Sequence, residues 1–462
     1  MALYFACPTR WKNHVLLAAS LIFYAWGEKG FVVVMLVSIA LNYTSAILIE
    51  TYRERKLDRA ILIASLVGNL GLLVGFKYAN FLADNLNALL RLVGGTPVSL
   101  PPIHLPIGIS FFTFHAISYV MDVYRKEVKA DRDPAGIALY ITLFSQLIAG
   151  PILRYHDVAG QIAKRMVGSD DFAAGVRRFI VGFGKKMLIA NTLAVPADAI
   201  FGQAQGTLTC SVAWLGVICY ALQLYFDFSG YSDMAIGLGR MFGFRFTENF
   251  NYPYVSQSVT EFWRRWHISL STWFRDYLYI PLGGNRHGTA RTYGNLVFVF
   301  FICGLWHGAS WSFILWGLLH GALLVAERVL GSWRGRVWSP VRHAYLILAV
   351  LIGWVFFRAD TLTHAVAYLS AMFGIAPAAA AGATFASYWN AEIMLTIIIG
   401  AVASTPVFPA VRAFATGHGW HGLPAFHTAT ALARVSFYLG TFSLSVLWLA
   451  SGTHNPFIYF RF

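Results

Sequence analysis

Two histidines stand where proton chemistry would be useful. His307 lies within FVFFICGLWHGASWSFILWGLLHGALLV, far from the basic residues at either end of that run. An imidazole buried there costs free energy unless it is hydrogen-bonded, so one reading is a packing histidine bonded to a neighbouring helix. The other is catalytic. A neutral imidazole titrates near neutrality and can take the proton of a hydroxyl as it attacks an acyl carbonyl. Gly304, Gly308 and Ala309 leave room for close approach of backbone or substrate, and Trp306 and Trp311 supply flat walls. The second histidine, His267, sits in TEFWRRWHISLSTWFRDYLYIPLGGN. It could orient a substrate, shuttle a proton or steady an oxyanion, or it could be an interfacial residue with a surface hydrogen bond.

Other polar groups gather nearby in sequence. Asp227, Ser229 and Asp233 in YFDFSGYSD could bond the wall of a cavity, and the carboxylates could neutralise Arg240. A carboxylate pair invites a metal, but no His/Cys/carboxylate cluster accompanies it, so no metal is expected. Trp263, Arg264, Arg265, Arg275, Asp276, Asn285 and Trp306 complete the candidate lining. His115, seven residues before Asp122, and His320 are expected to make structural hydrogen bonds.

The elements that position these groups follow from hydrophobic spacing. From Glu261 to Tyr277, helical spacing puts Trp263, Trp266, Leu270, Trp273 and Tyr277 on one side. Arg264, Arg265, His267, Ser271 and Arg275 lie on the others. That predicts an amphipathic helix lying along or dipping into a membrane. Pro281 and Gly283–Gly284 end it.

The polar segment 227–293 is exceptional in this chain. Of 462 residues, 57 % are hydrophobic and only 12 % charged, about half the charge of a soluble domain. A soluble domain, a disordered chain and a coiled coil are excluded. Apolar runs recur near 13–27, 31–50, 60–77, 104–121, 136–152, 174–200, 209–226, 294–306, 309–328, 342–357, 391–408 and 434–450. The fold class is therefore all-α and polytopic, a single membrane domain over 1–462 with about 11–12 transmembrane helices.

The net charge of +14 does not indicate nucleic acid, because the basic residues lie between apolar runs and no basic, aromatic-interleaved surface accompanies them. Arg53, Arg55, Lys56 and Arg59 mark one cytoplasmic loop. Arg125, Lys126, Lys129 and Arg132 mark another, and Arg334, Arg336 and Arg342 a third. Counting from these puts the N-terminus and Arg412 inside and the C-terminus outside. The Ala-rich stretch 361–390 is expected outside, as an amphipathic or re-entrant segment. The four cysteines have neither zinc nor redox spacing. No cleavable signal peptide is evident.

The chain resembles the membrane-bound O-acyltransferase family, and within it the branch that acetylates bacterial polysaccharides such as alginate. Teichoic acid D-alanyl transfer proteins are more distant. The matching stretches are PIGISFFTFHAISYVMDVYR, QLIAGPILRY and LYFDFSGYSDMAIGLGRMFGFRFTENFNYPY, then FWRRWHISLSTWFRDYLYIPLGGN, GLWHGASWSFILWGLLHG, WVFFRA and PFIYFRF. GLWHG is only moderately specific by itself; with the upstream tryptophan-rich stretch the combination is highly specific and spans nearly the whole chain. Family members usually carry an extra apolar run ahead of WKNHVLLAASLIFYAWGE, where only MALYFACP stands here, and Arg461 replaces a commonly uncharged residue.

The resemblance implies a ring of membrane helices, with re-entrant or amphipathic helices, around a thin central region entered by funnels from both faces. It matches the family's invariant membrane histidine to His307 and its upstream histidine to His267. His307 would then activate a hydroxyl or thiol, while His267 steadies the oxyanion. No cofactor is expected to be bound. The resemblance points to acetyl-CoA as the cytosolic acyl donor and to a periplasmic acetyltransferase as the partner that finishes O-acetylation of an exported polymer. The site would lie in the cell inner membrane. D-alanyl or other acyl transfer to cell-wall polymers, an acyl-group conduit without transfer chemistry, and a scaffold for a secretion complex are the alternatives.

Overall fold

The computed structural model describes residues 1–204, 206–331, 333–375, 383–417 and 424–452. Among these residues every regular element is helical and no strand forms. Seven continuous helical stretches are long and apolar enough to cross a membrane. The chain is an all-α polytopic membrane protein.

Seven is fewer than the twelve apolar runs, for physical reasons that can be named. Thr9–Thr51 joins two runs in one 43-residue stretch. It is interrupted at Lys29, whose φ is +49. The two parts, Lys12–Glu28 and Val32–Thr51, are about 26 and 30 Å long at 1.5 Å per residue, each close to one bilayer core. The runs at 104–121, 136–152 and 391–408 form shorter helices, Ile109–Tyr124, Pro134–Thr142 and Ala391–Ala403. The run at 294–306 becomes Thr289–His307, which opens on a polar turn.

The chain forms two compact units. The first comprises residues 1–174, 238–247 and 273–278. Its Ile109–Tyr124 helix is buried along almost its whole length and packs against Val32–Thr51, Asp58–Leu73 and Pro134–Thr142. Asn42 and Asn69 tie two of those helices through reciprocal amide bonds of 2.9 and 2.8 Å. The indole of Trp273 stacks 3.8 Å from Phe114 and donates to its carbonyl.

The second unit comprises residues 175–237, 248–272 and 279–462. Most of the 32-residue helix Cys210–Met241 lies in it, up to Gly237. The expected span stopped at 226, yet the helix continues without a break. Asp227, Ser229 and Asp233 therefore lie on a long buried helix and not in a polar segment beside it. The helix tolerates them because its neighbour, Ser169–Gly184 with the following Lys185–Ala190 π-turn, supplies cations. Lys186 pairs with Asp227 at 2.5 Å, and Lys185 and Arg178 pair with Asp233 at 2.7 and 2.6 Å. The two helices cross closely: a Cβ on Gly182 would lie 2.5 Å from the Gly230 carbonyl oxygen.

Thr289–His307 and Trp311–Val329 form a tight helical hairpin in this unit. Gly304 and Gly317 allow it, since a Cβ on either would meet the facing backbone at 2.4 or 2.2 Å. Within 361–390, Leu362–Met372 is a helix that buries Ala365, Tyr368, Ala371 and Met372. Residues 376–382 and the terminal 456–462 lie outside the described residues.

Candidate active site

The segment expected as one helix from Glu261 to Tyr277 folds as two helices and a turn. Val259–Arg265 comes first. Its first amides, which lack a helical partner, bond elsewhere: the Ser258 hydroxyl accepts from Glu261 N at 3.0 Å. The buried carboxylate of Glu327 accepts from Val259 N and Thr260 N at 2.6 and 3.0 Å. A side-chain oxygen and a negative charge at a helix start are favourable for the same reason, the unpaired N–H groups there. The helix stops at Trp266, which is extended. His267 then adopts φ +44, a left-handed conformation that L-residues with side chains rarely take. Ile268–Phe274 and a π-turn, Arg275–Tyr279, follow.

The interruption is imposed from elsewhere in the chain. Asn251 N donates to Arg265 O and Ile268 N donates to Asn249 O, both at 2.9 Å. The side-chain oxygen of Asn249 accepts from Ser269 N at 3.2 Å and Ser269 Oγ at 2.9 Å. Asn249 thus replaces the helical bonds lost at the break. The apolar face predicted for the helix is nonetheless real. Trp263, Trp266, Leu270, Trp273 and Tyr277 are all buried, within protein. His267, expected on the polar faces, is 1 % exposed.

His267 and His307 share one aromatic neighbour. The Trp306 ring lies 6.2 Å from the imidazole of His267 and 4.9 Å from that of His307. His307 is the last residue of its helix, at the turn of the hairpin and not within an unbroken span. It is 4 % exposed and also meets Trp316 at 4.9 Å and Phe357 at 5.1 Å, both edge to face. The ring of Phe228 stands at 90° to His267, 4.6 Å away. Nδ1 of His267 lies 3.1 Å from Asn249 Oδ1. Its Nε2 is buried and meets no hydrogen-bond partner among the described residues. The site is thus a pair of imidazoles on one indole, closed in by aromatic rings. Water-excluded surroundings of that kind strengthen every polar interaction made within them.

The other candidates divide. Asp227 and Asp233 hold Lys186, Lys185 and Arg178 as above, not Arg240, whose guanidinium bonds Asp171 at 2.9 Å. Ser229 is buried, and its hydroxyl has no partner among the described residues. Trp263 donates its indole N–H to His320 Nδ1 at 3.3 Å. His320 thus makes the hydrogen bond expected of it, and His115 does likewise, its Nε2 accepting from Leu153 N at 3.3 Å. Arg264 is exposed, and Arg265 is paired with Glu261 at 3.0 Å. Asn285 accepts from Tyr279 and from Arg328. Gly308 makes room for the Phe313 ring, which a Cβ would approach to 2.2 Å, so this opening serves packing.

Arg275 and Asp276 belong to the first unit, with Arg154. Burial pushes the Asp276 carboxyl up. Hydrogen bonds and charge from Arg275 and Arg154 more than offset this and hold it below the usual carboxylate range. Nearby, Asp122 accepts from Tyr277 at 2.6 Å and from His156 N at 3.0 Å. Its ligand atoms lie within 4.8 Å of those of Glu127 and His156. The Asp122 oxygens are already engaged by protein donors, so the cluster reads as an ionic network. Neither it nor Asn249 was singled out from sequence, although Asn249 lies in the quoted stretch ENFNYPY.

The sequence profile of the membrane-bound O-acyltransferase family matches residues 73–359. The probable alginate O-acetylase of Azotobacter vinelandii is 43 % identical over 100 % of this chain and 97 % of its own length. The peptidoglycan O-acetyltransferase of Helicobacter pylori is 37 % identical, over 78 % of this chain and 73 % of its own length. The teichoic acid D-alanyltransferase of Bacillus subtilis is 28 % identical, over 54 % of this chain and 66 % of its own length.

Proposed function

The chain belongs to the membrane-bound O-acyltransferase family, and from that premise we propose that it moves an acetyl group from cytosolic acetyl-CoA for O-acetylation of an exported polysaccharide such as alginate. The observation that carries this reading is the pair of buried imidazoles on Trp306. Acyl transfer needs one proton taken and one polar donor supplied. The acceptor oxygen attacks the thioester carbonyl carbon, the C–O bond forms and the C–S bond breaks. The hydroxyl proton passes to an imidazole and then to the leaving thiolate. A hydrogen-bond donor steadies the carbonyl oxygen while negative charge develops on it. His307 and His267 are the proposed catalytic pair for these two jobs, and the aromatic rings around them exclude water that would hydrolyse the donor.

The reaction is proposed to run in the cell inner membrane. The basic loops around 53–59 and 125–132 would face the cytosol, and a periplasmic acetyltransferase would complete polymer modification. The likeness to the Azotobacter protein over the whole chain favours acetyl over D-alanyl transfer, because the Bacillus relative matches only about half of the chain. A conduit without chemistry would not need proton-handling groups.

Transfer from labelled acetyl-CoA by the purified protein is the direct test. His307→Ala should lower it by about 10²–10⁴-fold, the usual range for general acid–base groups. Unchanged transfer by a folded His307→Ala protein would remove His307 from the mechanism.

A further inference from the structure

The two imidazoles are not equivalent, because Asn249 decides where the proton sits on one of them. A backbone amide can only donate. Ser269 N points at one atom of the Asn249 side chain, 3.2 Å away, so that atom is the carbonyl oxygen. His267 Nδ1 faces the same oxygen at 3.1 Å. A hydrogen bond between them requires the proton on Nδ1. A neutral imidazole carries one N–H, so Nε2 is left with its lone pair. That atom is buried and has no protein partner among the described residues.

We infer that Asn249 is a positioning residue that locks His267 in the Nδ1–H form, so that His267 is the imidazole that receives the acceptor's hydroxyl proton. This rests on the acyl-transfer reading above, and it reverses the division of labour expected from sequence. A neutral His267 held this way has no N–H to offer an oxyanion. The donor's role then falls to His307 or to another N–H. The left-handed backbone at His267 and the bond from Ile268 N to Asn249 O hold the ring and its partner in one register.

Among the described residues, Phe228 and Trp306 present rings to the imidazole, and Asn249 and Ser269 present uncharged polar groups. Asp227 precedes Phe228 in the chain and is paired with Lys186, and His307 follows Trp306. A carboxylate placed at 249 would therefore be a new charge beside Nδ1–H, and it would favour the protonated ring.

The test has a structural arm and a kinetic arm. ¹⁵N spectra of histidine-labelled protein in detergent should show His267 as the Nδ1–H tautomer, identified by loss of its signals in His267→Gln. In Asn249→Leu that single tautomer should give way to a mixture. Finding Nε2–H in the wild type would overturn the proposal whatever the reaction is. In acetyl transfer, Asn249→Asp should shift the acid limb of kcat to higher pH. Asn249→Leu should lose at least about tenfold in kcat with little change in KM. His267→Gln supplies an amide donor but no base, so it should be as inactive as His267→Ala. Near-full activity in His267→Gln would overturn the assignment of base, as would an unmoved acid limb in Asn249→Asp. Full activity in His267→Ala would instead refute the site itself.

Discussion

At the scale of residues, the same side chain is set differently by what its Nδ1 meets: the Asn249 oxygen at His267, the Trp263 indole N–H at His320. His320 is buried and accepts from Trp263. A Cβ at Gly353 would lie 2.9 Å from its Nε2, so glycine there is a steric requirement. Gly353→Ala should destabilise the fold by about 1–3 kcal/mol through overpacking, seen as a lower Tm with the acyl-transfer pH profile unmoved. Asp276 permits a pH prediction. Its folded-state pKa is depressed by Arg275 and Arg154. Its ion pairing therefore stabilises the protein above the unfolded carboxylate pKa of about 4 and is lost as pH falls through the lower folded value. Asp276→Asn should melt earlier than wild type at neutral pH, and the gap should close on the acid side of pH 4. His307 stands out in the sequence because a histidine in an apolar run is rare and expensive, and His267 because it lies in the tryptophan-rich polar stretch that resembles the family. Asn249 was not. Its importance comes from a bond to a residue 18 positions on, which no periodicity reports.

Elements show a related division. Composition marks which segments are helical, but it does not show which helices touch. Gly175 and Gly182 on one helix face Gly237 and Gly230 on Cys210–Met241, and a Cβ on Gly182, Gly230 or Gly237 would lie 2.5–2.7 Å from a backbone oxygen of the facing helix. The spacing of seven on both helices keeps the glycines on one seam, and that seam brings Lys185 and Lys186 to Asp233 and Asp227. Gly182→Val should push the helices apart and weaken both ion pairs. A buried pair broken on one side is costly, so the expected outcome is a protein that fails to accumulate in the membrane or melts well below wild type. Normal accumulation with unchanged Tm would show that the crossing is looser than described. The break at His267 was invisible for the converse reason. The apolar spacing continues across it, since Trp263, Trp266, Leu270 and Trp273 are buried on both sides of the interruption.

For the whole molecule, the scarcity of charge was enough to establish a polytopic helical protein, and the number of crossings was less legible. Apolar runs do not distinguish a helix that crosses the bilayer from a short one packed among others. Both are buried from water and so read alike. Orientation can be tested directly. Cysteines placed at Lys56 and Lys126 should be protected from a membrane-impermeant thiol reagent in intact cells and labelled after permeabilisation; labelling in intact cells would invert the proposed topology.

Given the role proposed for His267, its left-handed backbone sets durability against turnover. Glycine alone adopts φ near +44 without a steric penalty. A chain selected only to resist heat would therefore carry glycine at 267. His267→Gly and His267→Ala both delete the imidazole, yet only the first relaxes the backbone. The glycine variant should outlast the alanine variant on heating by about 1 kcal/mol, with both equally inactive. The Tm difference between two dead enzymes then measures how much stability this membrane protein forgoes to keep an imidazole at that turn.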